Sequence, residues 1–195
     1  MPGITPSATV GPFFLFGLVP SSIGGTDVIG NNLVTPDASG ERIRIEGRVL
    51  DGDGIAVADA MIEIWQADAA GRYPSAADGR ALSNAAFKGF GRAATDAEGR
   101  FRFETIKPGP VHGLNGARQA PHITVNVFSR GVLKQMVTRI YFSDEAANGS
   151  DPILALVPPD RRPTLVATRE TSGGEPKYRF DIRLQGEGET VFFEV

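Results

Sequence analysis

Few side chains in this sequence could bind a metal ion or act as a nucleophile. The chain has two histidines, His112 and His122, three tyrosines and no cysteine. Without cysteine, disulfides, thiolate metal sites and a cysteine nucleophile are excluded, so a metal site would need the histidines together with carboxylates or tyrosines. The sequence also has no phosphate-binding loop, no dinucleotide-binding fingerprint and no serine nucleophile elbow.

His122 begins a segment with the two-residue periodicity of a β-strand. Ile123, Val125 and Val127 would share one face of this strand, and His122 and Thr124 would share the other. Histidines at both 122 and 124 would place two imidazoles side by side, but threonine is a poor metal ligand. The pattern therefore favours a hydrogen-bonded structural histidine over a metal ligand.

Composition limits the class of protein. The 195 residues include 20 basic and 23 acidic ones, for a net charge of −3, and the 41% hydrophobic content is ordinary for one globular domain. A mildly acidic chain without a basic block is atypical of proteins that bind nucleic acid or anionic membranes. The first basic residue is Arg42, and the most apolar early stretch is 13–19, far short of the about 20 residues of a membrane helix. We expect no leader, no membrane partner and a cytoplasmic location.

Turn signals and alternating apolar residues predict an all-β fold. Glycine and proline, 24 and 14 residues, are spread along the chain and separate short β-prone runs. We predict a β-sandwich of about eight strands with long loops over residues 41–195, preceded by an irregular N-terminal arm over 1–40. Trp65 is predicted in the core. The predicted strands lie near 43–49, 61–65, 95–104, 122–128, 134–142, 164–169, 178–184 and 190–195.

The arm carries more aromatic residues than a disordered tail usually does. Phe13, Phe14 and Phe16 follow one another closely between the turn signals at 11–12 and 19–21. Such a cluster must be covered, either by its own domain or by another chain. The number of aromatic side chains in an irregular arm favours an interface with a partner.

Several short motifs occur in an order and spacing that resemble the intradiol ring-cleaving dioxygenases. Each motif is weak by itself, but together they cover nearly the whole chain. The last of them is typical of the non-catalytic chain in members built from two homologous chains. The motifs are TPS (5–7), GPF (11–13), EIWQAD (63–68), GRY (71–73), FGR (90–92), TIKPG (105–109), APHI (120–123), RIYF (139–142) and QGEGETVFF (185–193).

The resemblance implies a β-sandwich and, in the catalytic chains, an Fe(III) ion held by two tyrosinates and two histidines. Carried over by position, these ligands fall on Tyr73, Val111, His122 and Thr124. Two ligands are retained and two are lost, and a tyrosine–histidine pair should not hold iron tightly. We therefore expect vestigial metal positions, no bound metal and no catalytic residue in this chain.

The resemblance also implies a partner, a homologous iron-bearing β chain, repeated in an (αβ)n assembly. The active site would lie at the interface, where Gly11, Pro12, Phe13 and Arg130 would line the substrate pocket and the arm would pack on the partner. The family usually has tyrosine where this chain has Phe13. The implied reaction is intradiol cleavage of a catechol carboxylate, 3,4-dihydroxybenzoate, by O₂ to 3-carboxy-cis,cis-muconate, a step of the β-ketoadipate pathway. An arginine suits a substrate that carries a carboxylate.

Two other functions remain open at the level of sequence. The chain could be an autonomous metalloenzyme, with His112 joining Tyr73 and His122 in a degenerate iron site. It could also be a non-enzymatic β-sandwich binding module that has lost its dioxygenase partner. The first would require the chain alone to bind iron, and the second would require that no homologous chain copurifies.

Overall fold

The computed structural model describes residues 9–11, 13–80, 87–113, 116–170 and 174–194. Within these ranges the chain forms eleven β-strands, one five-residue helix, α1 (Phe14–Leu18), and short 3₁₀ turns. The strands are β1 (Arg42–Leu50), β2 (Met61–Gln66), β3 (Phe90–Ala94), β4 (Arg100–Ile106), β5 (Val111–His112), β6 (Arg118–Gln119), β7 (His122–Phe128), β8 (Met136–Phe142), β9 (Val166–Glu170), β10 (Lys177–Arg179) and β11 (Ile182–Arg183). The 3₁₀ turns are Pro20–Ile23, Ala146–Ser150, Leu154–Leu156 and Arg162–Leu165.

The long strands follow the alternation of apolar and polar residues. In β1 the side chains of Ile43, Ile45 and Val49 are buried, and the residues between them are half-buried or exposed. In β7, Val125 and Val127 are fully buried while their neighbours face the other side of the sheet. One face of each strand thus enters the core, as the two-residue period requires.

One mixed sheet folds over to make the sandwich. Its strands run in the order β11-β1-β10-β9-β8-β7-β2-β3, and β4 pairs antiparallel with β1 along seven residue pairs. The two halves are joined where β8 pairs in parallel with β9 over Tyr141 and Phe142. Between the halves lies a core of aliphatic and aromatic side chains drawn from most of the strands. The expected all-β sandwich with long loops is confirmed.

A charged network ties the two halves together at the β8–β9 connection. The Tyr178 ring packs edge-on against Phe142 with centroids 4.9 Å apart. The Tyr178 hydroxyl donates to Asp144, 3.0 Å away. Lys107 and Arg169 each pair with the same carboxylate, at 3.1 and 2.9 Å. Because burial opposes ionisation but these donors favour it more, the pKa of Asp144 is lowered and the carboxylate stays charged.

Four details differ from the sequence-based expectations. Strand β3 was not predicted, because two of its five residues are alanine and one is glycine. In the C-terminal run predicted at 190–195, the described residues 190–194 form a single bridge, between Phe193 and Val137, rather than a strand. The arm is not wholly irregular, since α1 and a 3₁₀ turn interrupt it. Trp65 is half-buried on the outer face of β2, not in the core.

Among the described residues, no helix is both long enough and apolar enough to cross a bilayer. The stretch 68–80 contains turns and bends but no regular element, in agreement with the predicted long loop, and residues 81–86 lie outside the described ranges.

Candidate functional site

The vestigial metal positions come together at one end of the β2–β7–β8 half of the sheet. His122 and Thr124 lie on β7, Val111 lies on the short strand β5, and Tyr73 lies on the loop that follows β2. Val111 is buried and presents no ligand atom. The family resemblance assigns these four residues to one metal site, and the fold brings their segments to the same region.

Close backbone approach between two loops brings Tyr73 to this region. Gly71 adopts a φ of +72°, and a Cβ atom there would lie 2.0 Å from the Pro110 carbonyl oxygen. The Asp68 side chain accepts hydrogen bonds from the backbone N–H groups of Ala70 and Arg72, both at 2.9 Å. Only glycine tolerates both this φ and this contact, so the GRY motif is explained by loop packing directly before the tyrosine.

The Tyr73 ring lies flat against Trp65. Their ring centroids are 5.8 Å apart with an interplanar angle of 15°, and the Tyr73 backbone N–H donates to Asp78 at 2.8 Å. Burial raises the pKa of the Tyr73 phenol, although the Arg139 charge opposes the shift. The phenol therefore carries its proton at neutral pH in the absence of a metal ion.

His122 is buried and held by the backbone. Its Nδ1 lies 2.8 Å from the Ala120 carbonyl oxygen, and its ring centroid lies 5.9 Å from that of Tyr141. A carbonyl oxygen only accepts, so Nδ1 carries the proton and Nε2 is the basic nitrogen. Burial, with the nearby Arg139 charge, lowers the pKa of His122 to about 4. The imidazole is neutral at pH 7, and the expected hydrogen bond is present.

A guanidinium lies among these positions. Arg139, on β8, is directly opposite Thr124 across the β7–β8 ladder. Its Nη1 donates to Gln119 Oε1 at 2.7 Å and to the Tyr141 hydroxyl at 3.4 Å. The Tyr141 hydroxyl in turn donates to the buried carboxylate of Asp151 at 3.0 Å. Gln119, Arg139, Tyr141 and Asp151 are therefore linked by hydrogen bonds at the end of the sheet where the family resemblance implies a metal site.

The donor set does not fit an iron ion. Only the Tyr73 phenol and the single His122 Nε2 remain, whereas Val111 and Thr124 have replaced the other two ligands. Nowhere in the described ranges do three or more His, Cys, Asp or Glu side chains group as metal ligands. His112 lines a cavity of about 640 Å³ with Trp65 and Tyr73, but the buried His122 is not part of its wall. The three candidate ligands of a degenerate site therefore do not line one cavity.

The arm and the Arg130 turn meet at the opposite end of the same sheet. Arg130 lies in the turn between β7 and β8, and the next residue, Gly131, donates its N–H to Thr9 Oγ1 of the arm at 2.9 Å. Gly11 begins the turn into α1, since its carbonyl accepts the Phe14 N–H at 3.2 Å. The structure thus brings the segments of Gly11 and Arg130 into one region, while Pro12 lies outside the described residues.

Helix α1 is held there by a small apolar cluster. Leu15 and Val19 are buried against Met61 at the start of β2, with Phe128 at the end of β7 packed beside them. Arg92 also donates to the Leu18 carbonyl at 3.1 Å and so satisfies one of the unpaired carbonyls at the end of the helix. The arm therefore has its own docking site on the sandwich.

Docking leaves the other face of the arm uncovered in this chain. The exposed fraction is 73% for Phe13, 61% for Ile23 and 96% for Val28, and Phe16 and Leu18 are also exposed. The rings of Phe13 and Phe16 contact each other, with centroids 5.5 Å apart. Several neighbouring large apolar side chains on one segment are typical of a surface that another chain covers.

Arg130 is oriented by Asp59 of the same chain, a contact that the sequence alone did not indicate. Its Nε is paired with the carboxylate of Asp59, 71 positions earlier in the chain. Among the described residues, none forms a hydrogen bond or salt bridge with its Nη groups. Arg130 and Asp59 both line a surface cavity of about 1220 Å³ that also includes Phe16 and Arg92. The guanidinium is thereby fixed at one edge and open to an anion at the other.

The two regions are well separated. Strand β7 runs from His122 at the vestigial metal position to Phe128 beside the arm, and six residue steps span roughly 20 Å at about 3.3 Å each. Arg130 lies still further along. One substrate molecule of catechol size cannot contact both ends.

Comparison with known proteins is consistent with this geometry. A family model described as a dioxygenase matches residues 29–186. The chain belongs to the intradiol dioxygenase family. It is 49% identical to the protocatechuate 3,4-dioxygenase alpha chain of Burkholderia cepacia over 98% of this chain and 97% of that protein. It is 38% identical to the beta chain from the same organism, over 84% and 73% of the two chains. Catechol 1,2-dioxygenase from Pseudomonas arvilla shares the fold, with a TM-score of 0.62, 22% identity, and 80% and 55% coverage.

Membership of the intradiol dioxygenases confirms the resemblance inferred from the motifs. Members of this family are in general iron-dependent. The sequence did not indicate the roles of Asp59 and Arg139. Their partners, Arg130 on one side and Thr124 and Tyr141 on the other, are brought near only by the sheet. The RIYF motif, which contains Arg139, was the only available signal.

Proposed function

We propose that this chain is the alpha-type subunit of a protocatechuate 3,4-dioxygenase and contributes pocket residues to an active site whose iron is bound by a homologous beta-type chain. The observation that carries this proposal is the mismatch at the vestigial metal position. A phenol, a single imidazole and a guanidinium stand there in place of a four-ligand iron site.

The reaction adds O₂ to 3,4-dihydroxybenzoate and breaks the bond between the two hydroxyl-bearing ring carbons. Both oxygen atoms enter the product, 3-carboxy-cis,cis-muconate, and no further reductant is needed. Iron on the partner chain would supply the activation of substrate and O₂. This chain's own residues act on the rest of the substrate, by binding its carboxylate, orienting it and excluding water.

Arg130 is suited to hold the substrate carboxylate. Asp59 occupies Nε, which leaves the two Nη groups to bind two carboxylate oxygens in the geometry that guanidinium favours. The Gly11 turn and Phe13 lie on the same arm, which reaches Gly131 through Thr9. They would form an apolar wall beside the aromatic ring of the substrate.

We further propose that residues 1–40 act as a docking arm and 41–195 as the sandwich. The exposed Phe13, Ile23 and Val28 support an interface with the partner, because the arm buries Leu15 and Val19, and Phe14 in part, against its own domain but leaves these three uncovered. A higher (αβ)n assembly would follow from repetition of this pair. The alternative of an autonomous metalloenzyme is disfavoured because His112, exposed beside Tyr73, does not share a cavity with His122.

The test compares this chain alone with the chain coexpressed with a homologous beta-type chain. The pair should contain iron, absorb broadly in the visible range from tyrosinate-to-iron charge transfer, and consume O₂ when 3,4-dihydroxybenzoate is added. The chain alone should be colourless and inactive. Iron binding and substrate turnover by the chain alone would refute the proposal. A stable chain that forms no complex would favour the binding-module alternative.

A further inference from the structure

A hydrogen-bonded group of three side chains lies opposite the three strand positions that correspond to metal ligands. Across β5–β6, Val111 faces Gln119. Across β7–β8, His122 faces Tyr141 and Thr124 faces Arg139. Directly opposed residues in antiparallel strands have Cβ atoms about 4.5–5.5 Å apart. Each vestigial position is therefore next to one member of the group.

Arg139 joins the group through one nitrogen. Its Nη1 donates both to Gln119 Oε1, at 2.7 Å, and to the Tyr141 hydroxyl, at 3.4 Å. Its side chain is half-buried, and within the described part of the chain its hydrogen bonds go to Gln119 and Tyr141 rather than to a carboxylate. The guanidinium is thus held directly by neutral acceptors, and its link to an anion, the buried Asp151 carboxylate, runs through the Tyr141 hydroxyl.

The fourth position, Tyr73, lies within the electrostatic reach of the same charge. Arg139 is the cation that acts on the Tyr73 phenol, on the His122 ring and on the Tyr141 hydroxyl. The guanidinium lies directly across the ladder from Thr124 and is hydrogen-bonded to the residues opposite Val111 and His122. Its charge also reaches Tyr73, where Asp78 opposes it, and His122, where Asp151 opposes it. A second cation entering this region would meet like-charge repulsion at low local dielectric.

We infer that Arg139 excludes metal ions from the vestigial site, so that this chain would reject iron even if its two missing ligands were restored. The guanidinium takes the place of the metal as the local cation. Gln119 and Tyr141 position it, and the Tyr141–Asp151 hydrogen bond of 3.0 Å fixes Tyr141 in turn. The loss of iron is then maintained by a residue that is not itself a former ligand. This inference concerns only this chain and stands whether or not the proposed pairing is correct.

The decisive experiment restores the ligands with and without the charge. The double variant V111Y/T124H should bind no iron, whereas V111Y/T124H/R139Q should bind about one iron per chain and gain tyrosinate-to-iron absorption in the visible range. V111Y/T124H/R139K retains the charge on a different side chain and should remain free of metal. The matched control V111Y/T124H/R100Q removes an exposed arginine of β4 and should behave as the double variant does. Iron is measured by metal analysis relative to the unaltered chain.

Because Val111 is buried, a tyrosine there could unfold the protein, and a second measurement avoids the added ligands. The single variant R139Q is titrated with Mn²⁺, and relaxation of the His122 ring protons is followed by NMR. Paramagnetic broadening at millimolar Mn²⁺ should appear in R139Q and be absent from the unaltered chain. Equal broadening in both, or iron binding by V111Y/T124H with Arg139 intact, would overturn the inference.

Discussion

Replacing Arg130 with glutamine should weaken the binding of 3,4-dihydroxybenzoate to the proposed two-chain enzyme. The Nε of Arg130 is already occupied by Asp59, so the interaction at stake is the one made by its Nη groups. A hydrogen bond to a charged group contributes about 1.5–3 kcal/mol, which corresponds to a rise in KM of about 10–150-fold. The side chain is 59% exposed in the single chain, which favours the lower half of this range unless the partner covers it.

The assay is steady-state O₂ uptake by the complex. A catechol without a carboxylate provides the matched substrate, and its KM should be unchanged in R130Q because no charge is lost to it. Arg42→Gln, which removes an exposed arginine at the start of β1, should leave both KM values unchanged. Iron content should be the same in all three proteins. An equal effect on both substrates, or a loss of iron in R130Q, would refute the assignment of Arg130 to the carboxylate.

Three further predictions concern stability and the arm. The buried Asp151 carboxylate accepts hydrogen bonds from three backbone N–H groups and the Tyr141 hydroxyl. Asp151→Asn should therefore lower the free energy of unfolding by about 2–4 kcal/mol in urea titration. An unchanged urea midpoint would contradict this. His122 has a folded pKa of about 4, below its ordinary value of 6.5, so its contribution to stability should be complete above pH 6.5 and lost as the pH falls toward 4. The loss should be about 3 kcal/mol. His122→Gln should remove this pH dependence in urea titrations, whereas His112→Gln should retain it. Leu15→Ala removes most of a buried contact between α1 and Met61. The variant should show faster amide exchange in α1 and a higher KM of the complex, while the thermal midpoint of the sandwich changes little. A large fall in that midpoint would show that the arm is part of the core.

The sequence predicted best where local pattern determines structure. The apolar alternation of Ile43, Ile45 and Val49 identified β1, and the alternation from Ile123 to Val127 identified both β7 and its buried face. The apolar pattern of the sequence was less informative for strands that form mainly because a neighbouring strand pairs with them. The alanines and glycine of β3 carry little β propensity, and they form a strand because β2 pairs with them.

The Trp65 prediction failed for a related reason. An alternating run shows that two faces exist, but not which face another loop will cover. Trp65 lies on the outer face and stacks on Tyr73, so it lines the vestigial site rather than the core. The C-terminal run 190–195 has strand-like composition, yet it finds only one bridging partner, at Val137.

The functional residues also fall into two groups, those that the sequence indicated and those whose role only the fold shows. Tyr73 and His122 could be named because each lies in a short characteristic motif, and Arg130 could be named from the family resemblance. Asp59 and Arg139 could not be named, because their roles come from partners across strands or across 71 positions of the chain. Electrostatic relations of this kind are set by the fold and leave no local signature.

The most direct test of the central claim is a structure of the two-chain complex with 3,4-dihydroxybenzoate bound. We predict that the substrate carboxylate lies about 3 Å from the Nη groups of Arg130. The substrate hydroxyls should face iron on the neighbouring chain, with Phe13 against the ring. A substrate bound instead at the Tyr73–His122 end of this chain, or a carboxylate remote from Arg130, would contradict the account.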